Sequence, residues 1–400
     1  MMNGIGIDYQ QTLSVIGLRE GDGLTARTRL IGDGWRRLVP HTALSDGRWG
    51  TEAAMANSLS STADILPGGP WFDDVHLPCY WRGLYGRVRN YLGGVQPVPK
   101  SQFRVVVAMP CEIDSEEAHR VRNLVEGTEW EHVQWIRTTD ALVCRWLASP
   151  TRDMSKAGTV VAVVAGDTSL TLAAYRVVVG SNERLSVSAT TPLIRLDDIG
   201  HWYWSQAVLS EVRRRLPEPP SLADELALRD SVLEFASALR RTASDTPVSW
   251  TGALNDRLFA MPTWTHRELG NSLPLSASVI AAAAQRQARE LSASERPAVI
   301  LVGGIGAAWP FLSDALKHLA PIWQMPAPEE DVALGAAWWP IFGFPVDVSS
   351  HVAEPFDASF NESFDEPPSN QDFSSETDVT SSELAGELTS GRDEIPPWQR

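Results

Sequence analysis

Three short turns carry the residues whose types and spacing suit chemistry. The first lies in GIGIDYQQTLSVIG, residues 4–17, where Asp8 precedes a polar knot containing Thr12 and Ser14. The second lies in VVAGDTSLT around Gly166 and Thr168, and the third is Gly303-Gly304 in PAVILVGGIG. Turn amides point outward as anion donors and a nearby carboxylate can hold Mg²⁺ or a water on it, so two facing hairpin turns suit a polyphosphate. A double glycine between a strand and a helix brings backbone close to a ligand at the positive helix end. Against this stands a purely local reading, in which Asp8 only accepts hydrogen bonds from backbone amides two residues on.

The elements that must position these turns come in two rounds. Gly4 to Asp8 and Thr12 to Leu18 read as two strands around a turn, with a third at Ala26 to Ile31. SQFRVVVAMP reads as a buried strand closed by Pro110. SEEAHRVRNLVEG has a serine cap, early acids and Val121, Leu124 and Val125 on one face, so a helix ending at Gly127 is expected. TTDALVCRWLASP gives a second helix. At residue 159 the pattern restarts: TVVAVVAGDTSLTLAAYRVVV is strand, turn, strand, and RLSVSATTPLI is a third strand. Helices follow from Trp202 to Leu216 and from Leu222 to Thr242, and PAVILVGGIGAAWPFLSDALKHL gives strand, double-glycine turn and helix. The tryptophans of HWYW and of Trp338-Trp339 are expected to pack in the core. His76 falls in a loop-like stretch.

The chain has 400 residues, more than one hydrophobic core usually covers, which predicts two domains or a two-lobed fold. Its formal net charge of −16 argues against nucleic-acid binding. From Pro345 to Arg400 there are 13 acidic residues against 2 arginines, a net of −11, and the composition turns to Ser, Glu, Asp and Pro. Such a segment cannot bury enough surface to offset ordering entropy, so a disordered acidic tail is expected. Three cysteines without metal spacing indicate neither a disulfide framework nor a zinc site. The start has no signal-peptide pattern and no run is long enough to span a membrane, so a cytoplasmic location without membrane contact is expected.

The order of segments over residues 3–340 resembles that of the DnaK-type heat-shock chaperones of the actin-like ATPase superfamily. IGIDYQQTLSVIG resembles their first phosphate loop, D-x-G-T-T-x-S, keeping Asp8, Thr12 and Ser14. VVAVVAGDTSLTLAAYRV resembles the second, D-x-G-G-G-T, keeping Gly166 and Thr168. LRRTASDT resembles the adenosine-contacting segment K-R-x-L-S, with Arg240, Arg241 and Ser244 in place. VILVGGIGAAWPFL and PEEDVALGAAWW resemble the adenosine loop, with Gly303 and Gly304, and the closing helix.

The resemblance implies an α/β fold of two RNase H-like lobes, residues 1–153 and 154–344, around a central cleft for ATP or ADP with Mg²⁺, followed by the tail, 345–400. Asp8 would hold the metal's water shell, Thr12 and Thr168 would reach phosphates, Arg240 would stack on adenine and Ser244 would bond its edge. Asp8 and Thr168 are the expected catalytic pair.

The departures fall on hydrolysis. Gln10 and Gln11 replace Gly and Thr, Val163 takes the place of the second-loop aspartate, and Asp167 stands where glycine is expected. The connecting segment IRTTDALV has Arg137, Thr138 and Thr139 where an acid belongs, and no lysine occurs before Lys100. Loss of one stabilising group commonly costs about 2.7 to 4 kcal/mol of barrier, so turnover is expected to be slow or absent. Two readings follow: a nucleotide-dependent switch or chaperone-related factor, or a degenerate pseudo-ATPase scaffold that binds a partner protein through its surface and acidic tail. A sugar or acetate kinase is a third, without an identifiable substrate-lobe aspartate.

Overall fold

The alternation Gly4-Ile5-Gly6-Ile7-Asp8-Tyr9 gives the first strand, β1 (Asn3–Tyr9), two different faces. In a computed structural model of the chain, Ile5, Ile7 and Tyr9 pack in one core cluster, while Gly4 and Gly6 lie against the backbone of a C-terminal helix. By the two-residue period of a strand, Asp8 shares the glycine face, which turns it inward. The structure describes residues 3–21, 26–32, 37–41, 48–53, 76–93, 103–130, 132–149, 158–179, 185–189, 191–216, 222–243, 245–250, 262–271, 274–291 and 297–344. The expectations for residues 345–400, and for Ser244, fall outside them.

In the first sheet, β2 (Leu13–Glu20) and β3 (Arg27–Leu30) extend the hairpin antiparallel, and β4 (Leu38–Pro40) also pairs with β2. On the other side of β1 lie, in parallel, β5 (Phe103–Met109) and β6 (Val133–Arg137), giving the order β3-β2-β1-β5-β6. Helix α1 (His76–Tyr91) is an element the sequence reading lacked, and it takes in the loop-like His76. Gly83 and Gly86 masked it, although Leu77, Tyr80, Trp81, Leu84 and Val88 repeat at helical spacing and are all buried. Gly83 is needed because the Trp49 ring occupies the space a Cβ would take. Helix α2 (Glu116–Glu126) forms as expected, with the Ser115 hydroxyl accepting from the Ala118 amide at 3.2 Å.

The second sheet repeats the plan. A hairpin of β7 (Gly158–Ala165) and β8 (Ser169–Val179) is flanked by β9 (Leu185–Ala189) and β10 (Ile194–Asp197) on one side and, on the other, by β13 (Val299–Gly303) and β14 (Ile322–Trp323) in parallel. The expected single strand RLSVSATTPLI is two strands. Between them Pro192 has no amide to donate, and the Thr191 hydroxyl takes the Ala174 amide of β8 at 2.9 Å in place of a ladder bond. Along the chain between β10 and β13 come helices α4 (His201–Arg215), α5 (Leu222–Arg241), α6 (His266–Asn271) and α7 (Pro274–Leu291), with a short ribbon of β11 (Val248–Ser249) and β12 (Thr263–Trp264). The Gly303-Gly304 turn does not open a helix directly. It leads into a 3₁₀ turn at Ile305–Ala308, and α8 (Pro310–Leu316) begins only at Pro310, a residue suited to a first helical position.

Two helices exchange partners between the sheets. α3 (Thr138–Ala148) leaves the first sheet at β6 and packs on β7, β8 and β13 of the second as well as on β5 and β6 of its own. α9 (Asp331–Phe342) follows the second sheet yet packs on β1, β2 and β5, and the two helices lie against each other. This approach is backbone to backbone: a Cβ at Gly6 would stand 2.0 Å from the Ala333 carbonyl oxygen. The inner cluster includes Val106, Ala108, Ala141, Val160, Val164 and Ala336, and so joins both sheets and both helices. Trp204 and Trp338 are buried, as expected of core residues, whereas Trp202 and Trp339 are only partly buried. No described helix is long and apolar enough to cross a membrane. The chain is thus α/β, and among the described residues every strand of the first sheet lies before residue 153 and every strand of the second after 154.

Candidate functional site

The two hairpins end in equivalent turns. Gln10 donates its amide to the Leu13 carbonyl at 3.0 Å, and Gly166 donates to Ser169 at 2.8 Å, so each turn has a two-residue tip, Gln11-Thr12 and Asp167-Thr168. Counting back from these turns, the residue in the place of Asp8 is Val164 and not Val163, and Val164 indeed belongs to the inner cluster. The loop pattern points to Val163, one residue earlier, and on a strand that one-residue difference puts the position on the opposite face.

The two tips meet and exchange hydrogen bonds. The Asp167 carboxylate accepts from the Thr12 amide at 2.7 Å and from the Thr12 hydroxyl at 2.6 Å, with the Gln11 amide at 3.4 Å. The same carboxylate accepts from the Thr168 amide at 2.7 Å. In return, the Thr168 hydroxyl donates to the Gln11 side-chain oxygen. The residues before the two threonines therefore play matching parts, each receiving the other turn's hydroxyl. Charge-assisted bonds of this kind are among the stronger ones.

Behind the tips, Gln10 donates to Asp8 at 2.5 Å, and its side-chain oxygen lies where a Cβ on Gly166 would be. Asp8 is 1% exposed. Burial pushes its carboxyl up to about 7; the Gln10 bond works against this and the Asp167 charge adds to it. Burial also raises Asp167, and the bonds from Thr12, Thr168 and Gln11 hold it down in part.

An acid raised in the folded state stays protonated where the unfolded chain has already ionised, so its contribution falls as pH rises from about 4 to about 7. Asp8→Asn removes that loss. Its stability relative to wild type is expected to grow by roughly 2–4 kcal/mol between pH 4 and pH 8, as read from urea midpoints at each pH. A pH-independent difference would show that Asp8 is not held neutral. Buried His41 and His201, lowered to about 3 and about 4, slope the other way and are common to both proteins.

Of the remaining expected residues, Ser14 is engaged elsewhere, its hydroxyl 2.7 Å from His41 Nε2. Gly303 faces the Leu142 side chain, and Gly304, at φ +88°, donates to the Pro328 carbonyl at 2.8 Å. Arg240, half-buried, donates to the Pro326 carbonyl, which brings it to the loop that meets Gly304. Arg241 folds back on Ser237 of its own helix and does not join the site. Asp331 is buried beside Arg145 at 3.1 Å, and burial pushes its carboxyl up to about 7. Gln10, Gln11 and Asp167 stand out in the sequence only as departures from the loop patterns; that Gln10 would bond Asp8 and that Gln11 and Asp167 would join the two tips has no sequence signal.

The amides of His201 and Trp202, at the start of α4, are already taken by the carbonyls of Gly166 and Asp167. No family model matches the chain, and no curated protein matches it.

The donor set can be tested against a metal-bound polyphosphate. The amide and hydroxyl donors that would meet phosphate oxygens hold the Asp167 carboxylate, and Asp8, the one acid offered for the metal's waters, is buried, bonded to Gln10 and held toward its neutral form. In this arrangement the residues do not fit Mg²⁺-ATP.

Proposed function

We propose that the chain adopts the two-lobed, RNase H-like fold of the actin and DnaK superfamily and serves as a non-hydrolysing scaffold that binds a protein partner. Support for the fold comes from the repeated strand order and the two exchanged helices. The observation that carries the function is the Asp167 carboxylate bonded into the first turn, where a nucleotide switch needs free donors. A carboxylate there also repels a phosphate brought without a compensating cation. Arg37 and Glu330, 2.8 Å apart, add an exposed ion pair between the two halves, worth little by itself.

The test is a titration of the protein with Mg²⁺-ATP and Mg²⁺-ADP, followed by calorimetry and by intrinsic fluorescence. Trp309 is a suitable reporter, being buried beyond the double glycine and donating to His201 at 3.0 Å. No saturable heat and no spectral change are expected at millimolar nucleotide. Saturable binding of either nucleotide would sink the scaffold reading and restore ATP, ADP and Mg²⁺ as ligands of a switch.

A further inference from the structure

We propose that Asp167 is the built-in occupant of an oxyanion site formed by the two turns, a carboxylate held where a diphosphate-type anion would otherwise bind. This rests on the scaffold reading and deepens it, because it states why the site is silent and what would reopen it.

The geometry has three parts. First, the donors converge from both hairpins onto one group: Thr12 amide, Thr12 hydroxyl and Thr168 amide within 2.7 Å, and the Gln11 amide at 3.4 Å. Consecutive amides at a turn form a concave anion receptor, and a carboxylate satisfies it as a phosphate oxygen pair would. Second, Asp167 is 2% exposed, so the bonds are not diluted by solvent and the charge has few other partners. Third, the contact is reciprocal through Thr168 and Gln11, so the occupant also ties the first hairpin to the second across 155 positions of chain. Asp167 therefore acts as a latch between the sheets as well as a plug in the receptor.

Truncating the carboxylate should free the receptor without removing its donors. The full-length Asp167→Ala protein is titrated with inorganic pyrophosphate, by calorimetry and by thermal melting, beside wild type and beside Asp167→Ala/Thr12→Val. Asp167→Ala is expected to show saturable heat and a melting temperature that climbs with pyrophosphate, while wild type and the double variant show neither. A folded Asp167→Ala protein that ignores pyrophosphate overturns the proposal.

Should that variant not fold, Asp167→Asn decides, because it keeps the side chain's size while it removes the charge and turns one of the two accepting oxygens into a donor. Amide exchange at Gln11 and Thr12 is expected to speed up roughly tenfold or more, with the β5 amides unchanged; unchanged exchange at the turn overturns the latch. Wild-type binding of Mg²⁺-ATP would instead sink the scaffold reading, whereas silence of a folded Asp167→Ala protein toward pyrophosphate, with wild type silent toward nucleotide, overturns the built-in occupant and leaves the scaffold reading standing.

Discussion

Gly6→Ala is expected to lose the fold or to weaken it by at least about 3 kcal/mol, the largest effect of any single methyl in the first hairpin. The added Cβ would stand 2.0 Å from the Ala333 oxygen, 2.4 Å from the Ala337 nitrogen and 2.9 Å from the Ala336 carbonyl carbon, all backbone of α9. A flexible side chain can swing away from such a contact, but helix backbone moves only as a unit. α9 in turn packs on β2, β5 and α3, so shifting it disturbs both sheets. Domains are stable by only about 5–15 kcal/mol, which makes the loss visible as a lower urea midpoint or as insoluble protein. Gly86→Ala is the control. Nothing lies within 4 Å of its added Cβ and it sits inside α1, so a gain of roughly 0.5–1 kcal/mol is expected. Equal effects at the two glycines would show that α9 does not approach β1 this closely.

Arg137→Met is expected to cost about 3–5 kcal/mol. Arg137 and Asp140 are both 0% exposed, with Nη2 and Oδ1 2.9 Å apart. Asp140 also accepts from the Tyr175 hydroxyl at 2.7 Å, and Arg137 lies 3.5 Å from Glu112. Removing the guanidinium leaves Asp140 as an uncompensated buried charge, which is what makes the single change severe. Arg137→Met/Asp140→Leu removes both charges and should recover most of the loss, since a buried pair gives back little beyond its own desolvation. Urea denaturation of the two single variants and the double completes the cycle. A single variant within about 1 kcal/mol of wild type would mean that the pair is reached by water.

Much of the local structure was legible. The alternation in GIGIDY, the serine cap of α2 and the restart at residue 159 each depend on neighbours in the chain, and each element forms within a few residues of its expected bounds. Helix α1 was hidden by its glycines, and Gly83 is explained only by Trp49, which stands outside that helix. The break between β9 and β10 depends on where the Thr191 hydroxyl falls on β8, a cross-strand matter.

The candidate site divides in the same way. The sequence by itself determined that two polar turns would follow two apolar strands, that Asp8 and Thr12 would sit at the first and Gly166, Asp167 and Thr168 at the second. It also marked Asp167 as a charge in an unusual place. Only the tertiary structure decided that Asp167 and Thr12 touch, that Gln10 covers Asp8, and that Val164 is the partner position of Asp8. The physical reason is range: a turn is set by a few adjacent residues, but which turns meet is set by α3 and α9 crossing between the sheets, and that crossing depends on glycine positions more than three hundred residues apart, from Gly6 to Gly335.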